Sequence, residues 1–222
     1  MRYFPLFLDL KSKICLVVGA GPVGRRKINT LDRCSAGKII VVDPGLKEDA
    51  FADSGNMVFK ARTFVPEDVL GCDLVFACTS DSETNAGVVR ACRERKIWCN
   101  AARDPEQGDF ILPAVLDRGD LILAVSTCGA SPALSAKIKK ELMEKYGPEY
   151  ALLARLMSGV RELVLPLGLA QEANREIFES ILDSEIMQHL DNRNRQGVRE
   201  ELKRILPSDI HNNINGLIDA LT

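Results

Sequence analysis

The sequence predicts an α/β fold, a doubly wound parallel sheet, followed by an all-α region. In the first half of the chain, short apolar runs alternate with helical patterns, which is typical of parallel strands joined by crossover helices. In the last third, apolar residues recur at the spacing of a helix, for example at Leu152, Leu153, Leu156 and Val160. The 222 residues suffice for one large domain or two smaller ones.

The first strand and the turn after it carry the strongest functional signal. Ile14–Val18 is a continuous apolar run, as expected for a buried parallel strand. A glycine turn follows directly, and a helical pattern runs on to about Cys34. The turn has the sequence Gly19-Ala20-Gly21-Pro22-Val23-Gly24. This spacing between a strand and a helix predicts a dinucleotide site, although a glycine-rich turn without a ligand is the alternative.

Each glycine of the turn has an expected physical role. Gly19 permits the tight turn, Gly21 lets the backbone approach a pyrophosphate, and Gly24 lets the helix pack closely on the strand. Pro22 and Val23 open the helix, whose N-terminal N–H groups would face the diphosphate. We therefore expect all five residues to contact the cofactor.

The second strand, Ile39–Val42, ends at Asp43 and Pro44. An acidic residue at this point accepts hydrogen bonds from the ribose hydroxyls of NAD, and its charge would repel the 2′-phosphate of NADP. The sequence therefore predicts NAD as the cofactor, with Asp43 and Pro44 beside the ribose.

Three further strands complete the predicted sheet. They are Met57–Phe59, Asp73–Cys78 and Ile97–Cys99, and the helix Glu83 to Arg95 lies between the last two. Ligands of such sheets bind outside the carboxyl ends of the strands, so the loops after Val18, Val42, Cys78 and Cys99 should share one edge. Thr79 begins one of these loops and is a candidate cofactor contact.

The pattern changes after about residue 112. Two apolar runs flank the turn Asp117–Asp120 and predict a hairpin. Ser131 and Pro132 then open a helix that ends near Tyr146. The rest is helical, with breakers near Pro166, Pro207 and Gly216. We divide the chain into three parts. A Rossmann-type domain covers residues 1–112, a connecting segment with the hairpin and its helix covers residues 113–147, and a helical domain covers residues 148–222.

Composition excludes several classes of function. The net charge of −2 argues against a nucleic-acid surface, and no apolar run reaches membrane-spanning length. The apolar segment Met1 to Asp9 is interpreted as an edge strand or a clamp, because a signal-peptide cleavage site is missing. Seven scattered cysteines indicate reduced thiols and a cytoplasmic protein, with Cys128 as a candidate reactive thiol. No metal site is expected, since His189 and His211 lack ligand spacing.

Several motifs occur in an order that resembles a known family. They are Phe4-Pro5-Leu6-Phe7-Leu8-Asp9-Leu10, Leu16 to Lys27 around the glycine turn, Ala77 to Asp81, Asn100, Asp109-Phe110-Ile111-Leu112-Pro113, Asp117-Arg118-Gly119 and Ala124 to Leu134. Over about residues 3–145 the chain is similar to the precorrin-2 dehydrogenases of siroheme synthesis, which include the N-terminal half of multifunctional siroheme synthases.

The resemblance implies an NAD-dependent oxidation of precorrin-2 to sirohydrochlorin by a homodimer. Residues 113–147 would be its dimerisation segment. Some members also insert Fe²⁺ into the product. Precorrin-2 carries eight carboxylates, so cationic side chains should help to hold it, with Arg103, Arg118 and Lys137 as candidates.

The chain departs from the family at one position. The family usually has an acid three residues after the asparagine that matches Asn100, and here that residue is Arg103, followed by Asp104. Asp104 could take over the role of the acid, the enzyme could have lost its chelatase activity, or the chain could bind NAD without turnover. A cation at this point argues against iron insertion. Thr127 matches a small hydroxyl residue of the family and is a candidate substrate contact, or it satisfies its own loop.

We expect a precorrin-2 dehydrogenase with Asp104 as its catalytic carboxylate. A chelatase-only enzyme and a non-catalytic NAD-binding sensor or regulatory dimer are the alternatives. A hydroxy-acid or short-chain dehydrogenase would usually supply a catalytic histidine or a Tyr–Lys pair, and neither occurs in the first 145 residues.

Overall fold

The computed structural model describes residues 2–46 and 55–221, so Met1 and Thr222 lie outside the described residues. The chain divides into two compact units, Met1–Leu112 and Pro113–Thr222.

The first unit is built on a five-stranded sheet in the order β3-β2-β1-β4-β5. All four neighbouring pairs are parallel. The strands are β1 (Ile14–Val18), β2 (Lys38–Val42), β3 (Met57–Lys60), β4 (Leu74–Ala77) and β5 (Trp98–Ala101). Helices α1 (Pro22–Arg33) and α2 (Ser82–Glu94) complete the Rossmann-type arrangement that the alternating pattern predicts.

The sheet has an apolar core on each face. Val17 and Val41 pack with Ile28 of α1 on one face, while Leu16 and Val75 belong to the cluster on the other. Successive strand residues point to opposite faces, so a strand covered on both sides must be apolar throughout. This is why β1 and β4 form continuous apolar runs.

The second unit begins with an antiparallel hairpin, β6 (Ala114–Asp117) and β7 (Ile122–Val125). Helix α3 (Pro132–Lys145) follows, and the Oγ of Ser131 caps it by accepting a hydrogen bond from the N–H of Leu134 at 3.2 Å. The expected hairpin, turn and capped helix are therefore all present.

The rest of the second unit is helical. Its helices are α4 (Glu149–Val164), α5 (Gln171–Leu182), α6 (Ile186–Asp191), α7 (Arg195–Ile205) and α8 (Ile214–Asp219). Leu156, Val160, Leu202 and Ile214 lie in a separate apolar core. The helix break that the sequence suggests near Gly216 is absent, because Gly216 lies within α8. A Cβ at this position would meet no atom within 4 Å.

The structure corrects two further expectations. Residues 2–10 form no strand, and Phe4 and Phe7 are exposed, so the edge-strand interpretation is wrong. The segment turns back at Leu10, whose carbonyl accepts hydrogen bonds from the N–H groups of Lys13 and Gly37. In β5, Asn100 is part of the strand instead of the loop after it, because the backbone continues in register beside β4.

Candidate dinucleotide site at the carboxyl edge of the sheet

The loops that follow β1, β2, β4 and β5 share one edge of the first unit, which we call the carboxyl edge. Backbone hydrogen bonds join the first residue beyond one strand to the end of its neighbour. The N–H of Gly19 donates to Val42 at 2.9 Å, that of Cys78 to Val18 at 2.8 Å, and that of Ala102 to Ala77 at 3.1 Å. The loop backbones are thus fixed directly to the sheet.

The glycine turn packs tightly at two positions and is open at the third. Gly19 has a φ of +97°, and a Cβ there would lie 2.8 Å from the carbonyl carbon of Cys78. A Cβ on Gly24 would lie 1.8 Å from the oxygen of Gly19, so α1 can approach the turn only with glycine there. A Cβ on Gly21 would meet nothing within 4 Å. The exposed backbone at Gly21 is therefore accessible to a ligand.

Helix α1 begins directly after this open position. Gly21 is its N-cap and Pro22 its first residue, and no side-chain hydrogen bond caps this end. Val23 follows in the first turn and packs partly against the apolar core on its face of the sheet. An uncapped helix N-terminus carries partial positive charge and unsatisfied N–H groups, which together favour an anion such as a phosphate.

The carboxylate of Asp43 is held beside the glycine turn. Its Oδ2 accepts a hydrogen bond from the N–H of Ala20 at 2.6 Å, and its Oδ1 accepts one from the N–H of Gly45 at 2.6 Å. Each carboxylate oxygen has a second lone pair for another donor. Asp43 is partly exposed and Pro44 is exposed, so a ligand hydroxyl can reach this carboxylate.

The hydroxyl and the N–H of Thr79 both form hydrogen bonds with the loop between β4 and α2 or with the first residues of α2. Its Oγ1 lies 2.8 Å from the carbonyl oxygen of Asp81 and 2.9 Å from Oδ1 of Asn85. Its N–H also donates to Oδ1 of Asn85 at 3.1 Å. Asp81 caps α2 by accepting from the N–H of Thr84, and the hydrogen bonds from Thr84 hold the pKa of Asp81 below its usual value. Sequence analysis missed Asn85, whose polar side chain is buried in an otherwise amphipathic helix.

Arg103 and Asp104 follow β5 and are both exposed. Arg103 joins two loops of the carboxyl edge, because its Nη1 donates to the carbonyl of Ser80 at 2.9 Å. Oδ2 of Asp104 accepts a hydrogen bond from Nε2 of Gln107 at 2.6 Å. Its Oδ1 makes no hydrogen bond within residues 2–46 and 55–221, so one oxygen of this carboxylate can accept a proton.

Asn100 lies on β5 two positions before this loop and is buried. Its Nδ2 donates to the carbonyl of Phe110 at 2.8 Å, while its Oδ1 has no partner in the part of the chain that the structure describes. The rings of Phe76 and Phe110 pack edge to face, with centroids 5.6 Å apart. A buried acceptor without a donor is costly, so Asn100 adds unmet hydrogen-bonding capacity to this part of the sheet.

The remaining candidates lie in the second unit, where each has a local partner. Thr127 accepts from the N–H of Ser131 and lies 3.0 Å from its carbonyl oxygen, so it satisfies its own loop. Arg118 donates to the carbonyls of Met143 and Tyr146 at the end of α3. Lys137 lies 3.9 Å from Oε1 of Glu141.

The cysteines of the sheet have the character of core residues. Burial raises the pKa of the Cys15 thiol to about 12 and that of Cys78 to about 11. Cys128 is exposed, with a φ of +55°, in the loop before α3.

Within residues 2–46 and 55–221, no group of three histidine, cysteine, aspartate or glutamate side chains is placed to hold a metal ion. No helix in the same ranges is both long and apolar enough to cross a bilayer.

The parallel sheet, the glycine turn and the carboxylate at the end of β2 define a Rossmann-type dinucleotide-binding domain. Residues 6–114 match the family described as "Putative NAD(P)-binding". This match supports a nicotinamide cofactor for the first unit.

Most of the chain is similar to siroheme synthases. It is 32% identical over 212 residues to the siroheme synthase of Thioalkalivibrio sulfidiphilus, covering 95% of this chain and 43% of that protein. It is 35% identical over 185 residues to the siroheme synthase of Nitrosomonas europaea, covering 82% of this chain and 39% of that protein. The chain therefore spans less than half the length of these relatives.

A solved structure named SirC, precorrin-2 dehydrogenase, superposes on the chain with a TM-score of 0.74 and 29% identity. The match covers 91% of this chain and 98% of that one. These comparisons confirm the resemblance to the precorrin-2 dehydrogenase family that the motif order predicts.

Proposed function

We propose that this chain is an NAD-dependent dehydrogenase that oxidises precorrin-2 to sirohydrochlorin in siroheme synthesis. The observation that carries the proposal is the match to a precorrin-2 dehydrogenase over 98% of that protein's length, which includes both units described above. The carboxyl edge supports it, since a glycine turn, an uncapped helix and a held carboxylate lie together there.

The residues of the carboxyl edge fit a dinucleotide. Gly19 and Gly24 set the course of the backbone, and Gly21 leaves room for the diphosphate above the first turn of α1, at Pro22 and Val23. We assign the adenosine ribose to Asp43 and Pro44, and a contact at the nicotinamide end to Thr79. NAD is favoured over NADP because a 2′-phosphate at Asp43 would bring two negative charges together. When bound, NAD accepts the hydride that the oxidation releases.

The oxidation also releases a proton, and we assign its acceptance to Asp104. Gln107 holds one carboxylate oxygen of Asp104 and leaves Oδ1 available. Arg103 keeps N–H groups beyond the one that donates to Ser80, so it can bind a carboxylate of the substrate. Thr127 is assigned to substrate only as a secondary contact, through a hydroxyl already bonded to its own loop. Because a fixed cation beside Asp104 disfavours Fe²⁺, we propose dehydrogenation without iron insertion.

We further propose a cytoplasmic homodimer formed through residues 113–147, with residues 148–222 as a helical C-terminal domain. Val115 and Ile122 are exposed on the face of the hairpin opposite Leu116, and Leu134 and Met143 are exposed on α3. Exposed apolar side chains on adjacent elements are typical of a protein interface. Ile122→Lys should convert the dimer to a monomer in analytical ultracentrifugation, whereas a dimer that persists would contradict this assignment.

The decisive experiment is the anaerobic turnover of enzymatically generated precorrin-2 with NAD, followed by absorbance. We expect wild-type turnover and a loss of about 10²–10⁴-fold in Asp104→Ala, because general-base catalysis is worth about that much. Glu106→Ala is the matched control, since Glu106 is an exposed carboxylate that pairs with Arg2.

Three outcomes are informative. Turnover that survives in Asp104→Ala would keep the function and refute the role of Asp104. Wild-type protein that binds NAD tightly without turnover would favour a non-catalytic sensor. Product that contains iron after addition of Fe²⁺ would refute the absence of chelatase activity.

A further inference from the structure

A polar cavity of about 470 Å³ lies within the second unit, between α7 and the segment that leads into α8. It is formed by the side chains of Arg199, Lys203, His211, Asn212, Ile214 and Asn215. Ile214 is buried in the helical core and supplies the apolar floor. The other residues are all polar or charged, and acidic side chains are missing from the lining.

Arg199 is held in place by neutral partners. Its Nε donates to Oδ1 of Asn215 at 3.0 Å, across the cavity from α7 to α8, and its Nη1 donates to Oε1 of Gln196 at 2.6 Å. Both acceptors are amide oxygens, so they orient the guanidinium without neutralising its charge. A planar, oriented guanidinium with free N–H groups is suited to bind a carboxylate through two hydrogen bonds.

Lys203 lies one turn further along α7 and adds a second positive charge. Within residues 2–46 and 55–221, its ammonium makes no ion pair or hydrogen bond. The acids of the same helix are engaged elsewhere, because Glu200 accepts from Gln196 at 2.7 Å and Glu201 pairs with Arg204. In the described residues, neither cation of this wall therefore forms an ion pair with a carboxylate.

The opposite wall adds hydrogen-bond donors. The Oδ1 of Asn215 is occupied by Arg199, which leaves its NH₂ group available to donate. Asn212 is exposed at the cavity. His211 lies 2.9 Å from the carbonyl of Leu206 through Nε2, so this nitrogen carries the proton and donates it. The walls thus combine two cations with amide donors, which is the chemistry of an oxyanion site.

We propose that this cavity binds the carboxylate groups of an anionic small molecule. Pockets for small molecules span about 300–1,000 Å³, and 470 Å³ places this one at the lower end. It suits a free di- or tricarboxylate, or one carboxylate-bearing edge of a tetrapyrrole. If the carboxylates come from the tetrapyrrole substrate, the inference rests on the proposed function and adds a subsite for that substrate.

The test is calorimetric titration of the full-length protein with citrate at low ionic strength. We expect saturable binding, weakened about tenfold or more in R199Q/K203Q, because two charge-assisted contacts are lost. The matched control is K11Q/R161Q, which removes the same charge from exposed positions outside the cavity. The proposal is overturned if citrate does not bind, or if the control variant weakens binding as much as R199Q/K203Q.

A second measurement on the same variants distinguishes two sources of the carboxylates, the tetrapyrrole substrate and a separate anion. A raised KM for precorrin-2 in R199Q/K203Q, together with competition by citrate, would assign the cavity to the substrate. An unchanged KM with intact citrate binding in the wild type would assign it to a separate anion. The citrate titration needs no turnover, so failure of the proposed function and failure of this site are distinguishable.

Discussion

Replacement of Asp68 by asparagine is expected to destabilise the first unit by about 2–4 kcal/mol. The Asp68 side chain is only 1% exposed, yet it carries a charge. Oδ1 lies 2.8 Å from Nζ of Lys60, and Oδ2 lies 2.7 Å from Nη1 of Arg62. The N–H of Val65 also donates to Oδ2 at 3.0 Å. The carboxylate therefore holds the loop after β3 to the turn before β4.

The expected loss of stability follows from the hydrogen bonds that an asparagine at position 68 can still make. Its Oδ1 can keep one acceptor role, but its NH₂ group would face a cation or the N–H of Val65. Removing one partner of a buried ion pair costs about 3–5 kcal/mol of stability. Lys60 and Arg62 are partly exposed, at 34% and 43% of their side chains, so water compensates part of this loss and lowers the figure.

Urea unfolding followed by fluorescence measures this loss in the correct unit. The chain has one tryptophan, Trp98, which lies on β5 of the first unit. Asp32→Asn is the matched control, because it makes the same chemical change at an exposed aspartate that does not contact Lys60 or Arg62. A free energy of unfolding for Asp68→Asn within about 0.5 kcal/mol of the control would refute the reasoning.

The same network has a pH dependence of known sign. Burial alone would raise the pKa of Asp68, but hydrogen bonds from Arg62 and Lys60 outweigh burial and lower the pKa well below its usual 3.8. The stabilisation is complete above the unfolded-state pKa and is lost as the pH falls below it. The difference between wild type and Asp68→Asn should therefore be constant near neutral pH and shrink below about pH 4, as measured by urea midpoints.

Two further predictions concern the carboxyl edge. Gly24→Ala should abolish NAD binding in calorimetry and lower the melting temperature, because its Cβ would lie 1.8 Å from the oxygen of Gly19. Gly216→Ala, in open space on α8, is the control, and it should leave NAD binding unchanged and not lower the melting temperature. Asp43→Asn should raise the KM for NAD about tenfold and reduce discrimination against NADP, because one hydrogen-bonded charge is removed. Unchanged KM values for both dinucleotides would show that Asp43 serves only the N–H groups of Ala20 and Gly45.

The sheet could be predicted because each central strand is apolar throughout and each is followed by a distinct helix or turn signal. The end of β5 could not, because Asn100 and Ala101 have low strand propensity. There the strand is extended by tertiary contacts, including the hydrogen bond from the N–H of Cys99 to Oδ2 of Asp109. Gly216 is helical for a similar reason, since packing of Ile214 and Ile218 in α8 compensates the weak helix propensity of glycine.

The candidate site was predictable where backbone geometry dictates the residue type. Gly19 and Gly24 meet backbone atoms, and a glycine at such positions is visible in a sequence. The partners of polar side chains were not predictable, because they depend on distances across loops. The tie between Arg103 and Ser80, and the burial of Asn85 against Thr79, have no counterpart in sequence spacing.

Among residues 2–46 and 55–221, the apolar cluster of the second unit shares no member with the two clusters of the first unit. A packing substitution in the helical cluster therefore changes a side chain that belongs to neither cluster beneath the glycine turn. Over evolutionary time, this separation lets the cofactor domain remain constrained by its turn and carboxylate while the helical unit diverges under its own constraints. New ligand contacts could arise on the helical unit without compromising the dinucleotide scaffold.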